Sequence, residues 1–363
     1  MFYVGLDVHS KQITICVLNS DGKVHQRCTV RQVSGMVGVL KQLPGSFQVC
    51  YEASTGYGAL FELLCTLAAR VAVAHPGLLR LIFRSKHKND RKDAEKLAKL
   101  LYIGEVPVVH VPAADVRAWR ELITFRRRLV EKRTRAKNGI RGLLRSLLIR
   151  PPQGRGLWTR KGLAWLRELE LNNPMHALKR DLLIEEIQNL TAQLKRVEAE
   201  LARYSADSVA VQILMSIPGV GLRTAEAVAA FLDDPHRFPH SKCVGAYFGV
   251  VPSQDQSGGT NRLGHITCQG SATVRHLLTE AVWQAVRRSP TVRAYMTRIQ
   301  RDDPGRRKIA IVATAHYLIR VMWAMLKNGT LWKETVSPNG SLGPSNKGTG
   351  CAFSGAGHQS QPG

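Results

Sequence analysis

The sequence predicts an N-terminal mixed α/β domain, a helical middle region and a mainly α-helical C-terminal region. Short apolar segments of strand type occur before Pro76, a strongly basic helical segment begins near Asp115, and a helical period fills residues 271–326. From these observations we set the domain boundaries at 1–110, 111–205 and 206–332. The Ser-, Gly- and Pro-rich remainder, 333–363, is expected to be a disordered tail.

The charge of the chain indicates a polyanionic partner. Of the 363 residues, 52 are Lys or Arg and 27 are Asp or Glu, which gives a net charge of +25. This excess is far more than solubility requires, so nucleic acid is the first partner to consider. The 44% of hydrophobic residues is ample for packed cores in two or three domains.

The cysteines and the hydropathy indicate where in the cell the protein occurs. The seven cysteines are odd in number and widely spread, with no Cys-x-x-Cys pair, so neither a disulfide framework nor a zinc ribbon is indicated. No apolar run reaches the length of a membrane span, and no charged segment followed by an apolar core opens the sequence. We therefore expect a soluble intracellular protein without membrane contact.

Three strands open the chain as an antiparallel meander, and helices and strands then alternate. The meander strands cover Phe2–Val8, Gln12–Leu18 and Lys23–Val30. The alternation, which predicts parallel strands joined by crossovers, consists of helix Gly35–Leu43, strand Phe47–Tyr51, helix Tyr57–Ala68 and strand Val71–Ala74. A meander followed by such an alternation is the element order of an RNase H-like domain.

Two acids lie at the ends of strands that are neighbours in an RNase H-like sheet. In that fold the first and fourth strands lie side by side, so Asp7 in strand one and Glu52 at the end of strand four should converge. Taken singly, Asp7 could be a turn residue at a strand end, and Glu52 could cap a helix.

A second pair of acids lies where a later helix begins. Asp90 and Asp93 are three residues apart, so their side chains share one helical face. Together with Lys88, Arg91 and Lys92, they are placed to hold a divalent cation while the bases hold a phosphate backbone. The alternative is a solvated helix start, in which Asp90 is the N-cap and Asp93 favours the helix macrodipole.

The segment from Asp115 to Lys161 is strongly basic. It contains 15 Arg or Lys and 3 acids, a net charge of +12 over 47 residues, and its apolar residues recur at about one helical turn. Such a helix packs on one face, and its basic face would repel itself unless an anion covered it. The candidates for contact with a nucleic-acid backbone are Arg126, Arg127, Arg128, Arg133, Arg135 and Arg141.

A heptad pattern follows the basic segment. Apolar residues recur at spacings of 4, 3, 4, 3 and 4, which predicts a coiled-coil seam of about three heptads. The alternative is an antiparallel helical hairpin within one chain; an intermolecular seam would make the protein at least a dimer. The seam consists of Leu183, Ile187, Leu190, Leu194, Val197 and Leu201.

Two glycine-containing motifs lie in the C-terminal region. Ser216–Glu226 resembles the hairpin of a helix-hairpin-helix, in which Gly219 and Gly221 allow a tight turn and expose backbone amides to a phosphate. Further on, Ser257 precedes two glycines in a glycine-rich loop; by itself it is most simply a turn serine.

These blocks resemble a known family in order and spacing. Gly5–Ser10, Tyr51–Thr55 and Asn89–Ala94 resemble the three acidic blocks of the DEDD transposases of the insertion-sequence one-hundred-and-ten family. Gly245–Pro252 and the segment through Leu278 resemble its C-terminal transposase block. The resemblance covers roughly residues 2–330. One departure is Cys268, which stands where relatives often carry a basic residue.

The resemblance implies a RuvC-like domain in which Asp7, Glu52, Asp90 and Asp93 hold Mg²⁺, with Ser257 as the nucleophile. It also implies donor and target DNA, a structured non-coding guide RNA and a homo-oligomer, either a dimer or a tetramer, as partners. The setting is then the bacterial cytoplasm, in association with the nucleoid. Arg275 joins the nucleic-acid-binding candidates on the same ground.

Two other functions are compatible with parts of the sequence. A RuvC-like nuclease would resolve branched DNA with the acids and water, and Ser257 would then be dispensable. A non-catalytic scaffold that binds RNA or DNA would account for the charge and the heptads, and Asp7 would then be dispensable. Neither alternative explains four matched acids and a Ser-Gly-Gly sequence in one chain.

Overall fold

The computed structural model describes residues 1–82, 90–152, 156–257 and 259–335, without the side chains of Asp90 and Arg91. Lys88, one of the expected phosphate contacts, lies outside the described residues. The described residues form two compact units, Met1–Ala118 and the chain from Trp119 onward.

The first unit is built on a five-stranded sheet in the order β3-β2-β1-β4-β5. β1 is antiparallel to β2 and β2 to β3, whereas β1 is parallel to β4 and β4 to β5. The predicted meander and the neighbouring first and fourth strands are therefore confirmed. The strands are β1 (Phe2–Val8), β2 (Ile13–Leu18), β3 (Val24–Val30), β4 (Phe47–Glu52) and β5 (Arg70–Ala74).

Helices cover both faces of this sheet. Alternate residues of β1 face opposite sides: Val4 and Leu6 are buried with Met36 and Leu64, while Tyr3 packs on the other side with Ala98. This double coverage explains why the central strands are buried almost throughout. The helices are α1 (Val33–Lys41), α2 (Tyr57–Cys65), α3 (Pro76–Ile82) and α4 (Asp90–Tyr102).

Gly5 allows α4 to lie directly on β1. A Cβ atom added at Gly5 would lie 2.0 Å from the carbonyl oxygen of Ala94 and 2.5 Å from the nitrogen of Ala98. Two residues earlier on the same strand face, the Tyr3 ring meets the Tyr102 ring edge-on at 5.2 Å. Since Tyr3 lies beside the end of α4 and Gly5 beside its middle, α4 runs antiparallel to β1, and its first turn lies at the carboxyl end of the strand.

A long helical hairpin opens the second unit. Leu129 packs with Leu190 and Leu194, and further along Ile140 packs with Ile184, so the long helices run antiparallel. The heptad seam thus packs inside one chain, the alternative that the sequence left open. The elements are α5 (Ala114–Ser146), α6 (Arg160–Glu168) and α7 (Pro174–Ser205).

A compact bundle follows, with one core that includes Ala227, Leu278 and Leu318. The helical period of residues 271–326 is divided at Ser289, whose hydroxyl accepts from the amide of Val292 and begins a new helix. The elements are α8 (Val209–Met215), α9 (Leu222–Leu232), α10 (Ser241–Tyr247), β6 (Pro252–Ser257), β7 (Thr260–Ile266), α11 (Ala272–Arg288), α12 (Pro290–Gln300) and α13 (Arg307–Asn328).

The segment that follows α13 is hydrogen-bonded to this bundle. The amide of Trp332 donates to the Ser216 hydroxyl at 2.9 Å, and that of Thr335 donates to the Thr291 hydroxyl at 2.9 Å, so the expected tail does not begin at 333.

Within the described ranges, one helical stretch, Pro304–Asn328, has the length and apolarity of a membrane span. It packs against α8, α10, α11 and α12, which accounts for its apolar composition.

Candidate functional site

The carboxyl ends of β1 and β4 bring Asp7 and Glu52 together. In the parallel pairing Leu6 lies opposite Tyr51, so the next residue of each strand is the acid. Neighbouring strands are about 4.8 Å apart, and side chains at matching positions point to the same face. Because Asp7 follows Gly5 by two residues, that face is the one covered by α4. The expected convergence of the two acids therefore follows from the register.

The first turn of α4 adds the second pair of acids to this edge. Asp90 is the first residue of α4, as predicted, and Asp93 is half-buried one turn later. Since α4 is antiparallel to β1, this turn lies at the strand end that carries Asp7. Parallel strands of α/β sheets commonly present ligand sites at their carboxyl ends, and a helix N-terminus favours anionic groups there.

Basic side chains partner two of these acids. Nε2 of His9 donates to Asp7 at 3.1 Å, and Nζ of Lys96 donates to Asp93 at 2.9 Å. Among the described residues, no side chain donates to Glu52. The sequence motif contained His9, but its pairing with Asp7 was not predicted, because contact at two residues' spacing depends on how the strand ends.

A separate ion-pair cluster holds α4 against the sheet. Glu95 accepts from Arg27 on β3 at 2.5 Å and from Lys99 at 2.8 Å. The hydrogen bond from Lys99, with the charges of Lys99 and Arg27, lowers the pKa of Glu95 despite its partial burial. Glu95 therefore remains ionised. Its ion pairs hold α4 in the position that places the first turn of this helix at the carboxyl end of β1.

The acids have the chemistry of a divalent-metal site. Carboxylate oxygens are the ligands that hard cations such as Mg²⁺ prefer, and acids from adjacent strands and a helix start supply several of them. In the described ranges, no three His, Cys, Asp or Glu side chains already converge as a ligand group. The donor set fits such a cation, with Asp7, Glu52 and Asp93 as the described candidate ligands.

Ser257 lies at the tip of a β-hairpin, where the sequence predicted a turn serine in a glycine-rich loop. It ends β6 and pairs with Thr260, which begins β7, across a turn containing Gly259. All six residues of β6 are exposed, so the alternation of apolar and polar residues that marks a half-buried strand is missing. The Gly-Gly sequence was the available hairpin signal.

The base of this hairpin is anchored firmly. Nη1 of Arg275 donates to the carbonyl oxygens of Phe248 and Gly270, at 3.3 and 3.2 Å, and also to that of Gln269. At Gly249 and Gly270, where φ is +65° and +67°, a Cβ would lie within 2.3 Å of backbone atoms of the opposite segment. The arginine expected to contact nucleic acid thus also holds the hairpin base.

The other nucleic-acid candidates differ in their surroundings. Arg126 pairs with Glu198 at 2.5 Å and Arg127 with Glu131 at 2.8 Å, so these two are partly neutralised within the chain. Among the described candidates, the side chains open to solvent are Lys92, Arg128, Arg135 and Arg141, while Arg133 is half-buried. No finding tests their contact with nucleic acid, which stays a prediction.

Gly219 and Gly221 lie in the turn between α8 and α9. Gly219 has φ of +96°, and an added Cβ would lie 2.4 Å from the nitrogen of Ala285, so it permits close packing on α11. Gly221 precedes the first residue of α9, and a Cβ there meets nothing within 4 Å. Gly219 is therefore required by packing, whereas the surroundings of Gly221 leave room for a ligand.

Comparisons with known proteins agree with this architecture. A family model of the IS110 DEDD type, described as a transposase, matches residues 4–149, which contain the four acids. A second, described as the transposase IS116/IS110/IS902 family, matches residues 211–297, which contain Ser257 and Arg275.

Curated relatives carry the same description. A putative transposase of Sinorhizobium fredii is 32% identical over 77% of this chain and 71% of its own length. A probable family 20 transposase of Pseudomonas aeruginosa is 31% identical over 68% and 74% of the two chains. A transposase for an insertion sequence element of Coxiella burnetii is 26% identical over 89% of each.

The fold and the matches define the class as a DEDD transposase, an enzyme that cuts and rejoins DNA and whose acidic domain implies the use of a divalent metal. The chain belongs to the IS110 family of transposases.

Proposed function

We propose that this transposase moves an insertion sequence through a covalent serine-DNA intermediate, with Mg²⁺ as the metal and a non-coding RNA as the guide. The observation that carries the proposal is the pairing of two features. The register of β1 and β4 converges Asp7 and Glu52 beside the first turn of α4, and a hairpin presents Ser257 at an exposed tip.

The acids would hold the metal against the scissile phosphate. Asp7, Glu52 and Asp93 fit this role by position and donor chemistry, and Asp90 joins them by its place at the start of α4. When bound, Mg²⁺ would neutralise the charge that develops on the phosphoryl oxygens. His9 and Lys96 would no longer pair with Asp7 and Asp93 when these carboxylates hold the metal. Both basic side chains would then be available to contact the phosphate.

Ser257 would supply the nucleophile. Its Oγ would bond to the scissile phosphorus while the bond to one sugar oxygen breaks, and the serine proton would end on that departing oxygen. In the second step a sugar hydroxyl of the other strand would attack the phosphoserine and restore the free serine. The intermediate preserves the phosphodiester energy, so rejoining needs no external energy source.

The basic helix α5 would bind nucleic-acid backbone. Its charge supports contact with DNA, RNA or both, and Arg128, Arg135 and Arg141 are its exposed candidates. The turn between α8 and α9 would serve as a helix-hairpin-helix, with Gly221 at the amide-rich start of α9. A guide RNA is the partner proposed for selecting donor and target.

The assembly would be a homo-oligomer, a dimer or a tetramer. The heptad seam is used within the chain, but α7 carries a separate apolar stripe at residues spaced by three and four: Met175, Leu178 and Leu182, which are 77%, 61% and 56% exposed. A second copy is the occupant we propose for this stripe. Light scattering should give a smaller mass for Leu178→Glu than for the native protein.

The decisive experiment looks for a protein-DNA adduct. Purified protein with its co-purifying RNA, Mg²⁺ and a labelled donor-junction DNA is run on a denaturing gel. The adduct should form with the native chain and disappear in Ser257→Ala and in Asp7→Asn. The matched control is Asp21→Asn, which changes an exposed turn acid and should leave the adduct intact.

The two alternative functions, a nuclease and a non-catalytic scaffold, predict different results on this gel. Cleavage without an adduct, unchanged in Ser257→Ala, would establish the metal-dependent nuclease and exclude the nucleophile. DNA binding without any cleavage, unchanged in Asp7→Asn, would establish a scaffold. Mixing Asp7→Asn chains with Ser257→Ala chains tests site sharing, because restored adduct requires a site built from two subunits.

A further inference from the structure

A cavity of about 460 Å³ lies between α5, the turn before α6, and α7. Its size is within the range of small-ligand sites. No part of the proposed reaction uses it. It is lined by Arg133, Lys137, Trp158, Leu163, Ile187, Gln188, Thr191, Ala192 and Lys195.

The charge of this cavity is entirely positive. Arg133, Lys137 and Lys195 contribute three cations, and no carboxylate is among the described residues that line it. Burial lowers the pKa of Lys137, and the neighbouring charges of Arg133 and Arg141 lower it further. Crowded cations of this kind repel one another, so an anion placed among them would relieve the repulsion.

A second cavity of the same volume also contains cations, but its charges are balanced differently. That cavity, between α5, α7, α9 and α11, also contains arginines. There, however, Arg127 pairs with Glu131 at 2.8 Å, and Arg223 pairs with the fully buried Glu226 at 2.8 Å. Its charges are largely balanced within the chain, so it does not call for an anion.

The cationic cavity also has a rigid aromatic wall. Nζ of Lys137 lies 5.2 Å from the centroid of the Trp158 ring, and the guanidinium of Arg141 lies 5.3 Å from it. Trp158 packs against the buried cluster that includes Ile140 and Ile187. The next residue, Thr159, accepts from the amide of Gly162 at 3.2 Å and so caps α6. The indole is thus held in place before any ligand arrives.

Gln188 adds a polar group that suits the edge of a base. Its amide carries both donors and an acceptor, and it lies on the exposed side of α7 at the cavity wall, whereas the Thr191 hydroxyl in the same lining already donates to the carbonyl oxygen of Ile187. Cations, an aromatic face and a hydrogen-bonding amide match the phosphate, the flat ring and the polar edge of a nucleotide. The bases of a duplex are stacked inside it and cannot enter a cavity, whereas an unpaired base can.

We propose that this cavity binds one unpaired nucleotide of a single strand, with its phosphate among Arg133, Lys137 and Lys195 and its base against Trp158 beside Gln188. The inference rests on the nucleic-acid-binding part of the proposed function, and it is independent of the serine chemistry. The ligand is a single-stranded loop or bulge, whether of RNA or of DNA.

The test measures binding and not cleavage. Full-length protein carrying Asp7→Asn, which blocks strand cleavage, is titrated into a labelled RNA hairpin with one bulged adenosine and into its fully paired twin. Fluorescence anisotropy gives both affinities, and the same pair in DNA separates the two sources. The variants are Trp158→Leu, Trp158→Phe and Gln188→Ala, and Lys195→Ala is compared with Lys179→Ala, an exposed lysine of the same helix.

We expect Trp158→Leu to weaken binding of the bulged hairpin about tenfold, because one stacked base contributes on that scale. The paired twin should be unaffected, and Trp158→Phe should retain most of the affinity. Lys195→Ala should weaken the bulged complex more than Lys179→Ala does. A loss for RNA alone identifies RNA as the source, and equal losses identify any unpaired nucleotide.

Two results would overturn the proposal: equal losses on bulged and paired hairpins, which would mark a non-specific electrostatic surface, or no loss in any variant. Gln188→Ala tests the cavity in a variant that should fold normally, because an exposed residue can be truncated without disturbing the core. A failed adduct experiment leaves these binding results valid, and a failed binding experiment leaves the adduct valid.

Discussion

The acidic edge of the sheet and the serine hairpin are built in opposite ways. Asp7 and Glu52 end strands that are buried on both faces, and α4 is fixed over them by a glycine contact and the Glu95 cluster. Ser257 ends a strand whose residues are all exposed, on a hairpin anchored only at its base. The buried core therefore positions Asp7 and Glu52, whereas Ser257 lies at the end of an exposed strand.

This difference has a physical reason. A two-stranded hairpin without a hydrophobic face is marginally stable, so its tip can adapt to DNA. The buried sheet, in contrast, fixes Asp7 and Glu52 at matching positions of adjacent strands through the register of β1 and β4. The comparison predicts that substitutions in the sheet affect folding and activity together, and that substitutions in the hairpin separate the two.

The largest effect is expected for Gly5→Ala. The added methyl would overlap the Ala94 carbonyl, so α4 must move off β1, which should cost about 3 kcal/mol of unfolding free energy and abolish cleavage. Urea unfolding and the adduct gel measure the two losses. The control is Gly38→Ala in α1, where nothing lies within 4 Å and the stability should rise slightly. Equal effects would mean that α4 is not fixed on Gly5.

The second effect is expected at the hairpin base. In Gly270→Ala the methyl would meet the Tyr247 carbonyl in a left-handed conformation, so the anchor should weaken by about 2 kcal/mol. Proteolysis within 252–266 should then accelerate. Gly259→Ala, at the tip with open space around it, should change neither proteolysis nor stability. Equal sensitivity of both variants would show that the tip is as constrained as the base.

The sequence revealed the sheet much more fully than the hairpin. The strand positions, the meander and the start of α4 followed from apolar periodicity and turn residues, which report burial, and the pairing of β1 with β4 followed from the element order of an RNase H-like domain. The contacts of Arg275 with three carbonyls could not be predicted, because they join segments that meet only after folding. The hairpin was missed for a related reason: its strands are polar on both faces, so burial left no pattern in them.

The third effect distinguishes two roles of Arg275. Arg275→Lys keeps the positive charge but loses the planar group that reaches several carbonyls, so the adduct should form about tenfold more slowly with DNA affinity nearly unchanged. Single-turnover adduct formation and anisotropy measure the two quantities. If Arg275 instead contacts phosphate, Arg275→Ala should weaken DNA binding and reduce the salt slope by about one.

The smallest effect concerns pH and the helix beneath the hairpin base. Nε2 of His316 is buried and has no hydrogen-bond partner among the residues that the structure describes, and a Cβ at Gly245 of α10 would lie 2.4 Å from it. Burial lowers the pKa of His316 below 6.5, and the charge of Arg320 lowers it further. The unfolded chain then binds the proton more tightly than the folded one, so stability is intact above about pH 6.5 and declines as the pH falls through the lower folded value.

The decline should be on the order of 1 kcal/mol at most, measured by urea unfolding between pH 7 and 5.5, above the range where carboxylates titrate. His316→Gln should be less stable throughout but flatter across that interval, because the titrating group is gone. Proteolysis of the hairpin should follow the same pH dependence, since α10 leads into its base. An unchanged slope in the variant would assign the acid sensitivity to other groups and leave the hairpin base independent of His316.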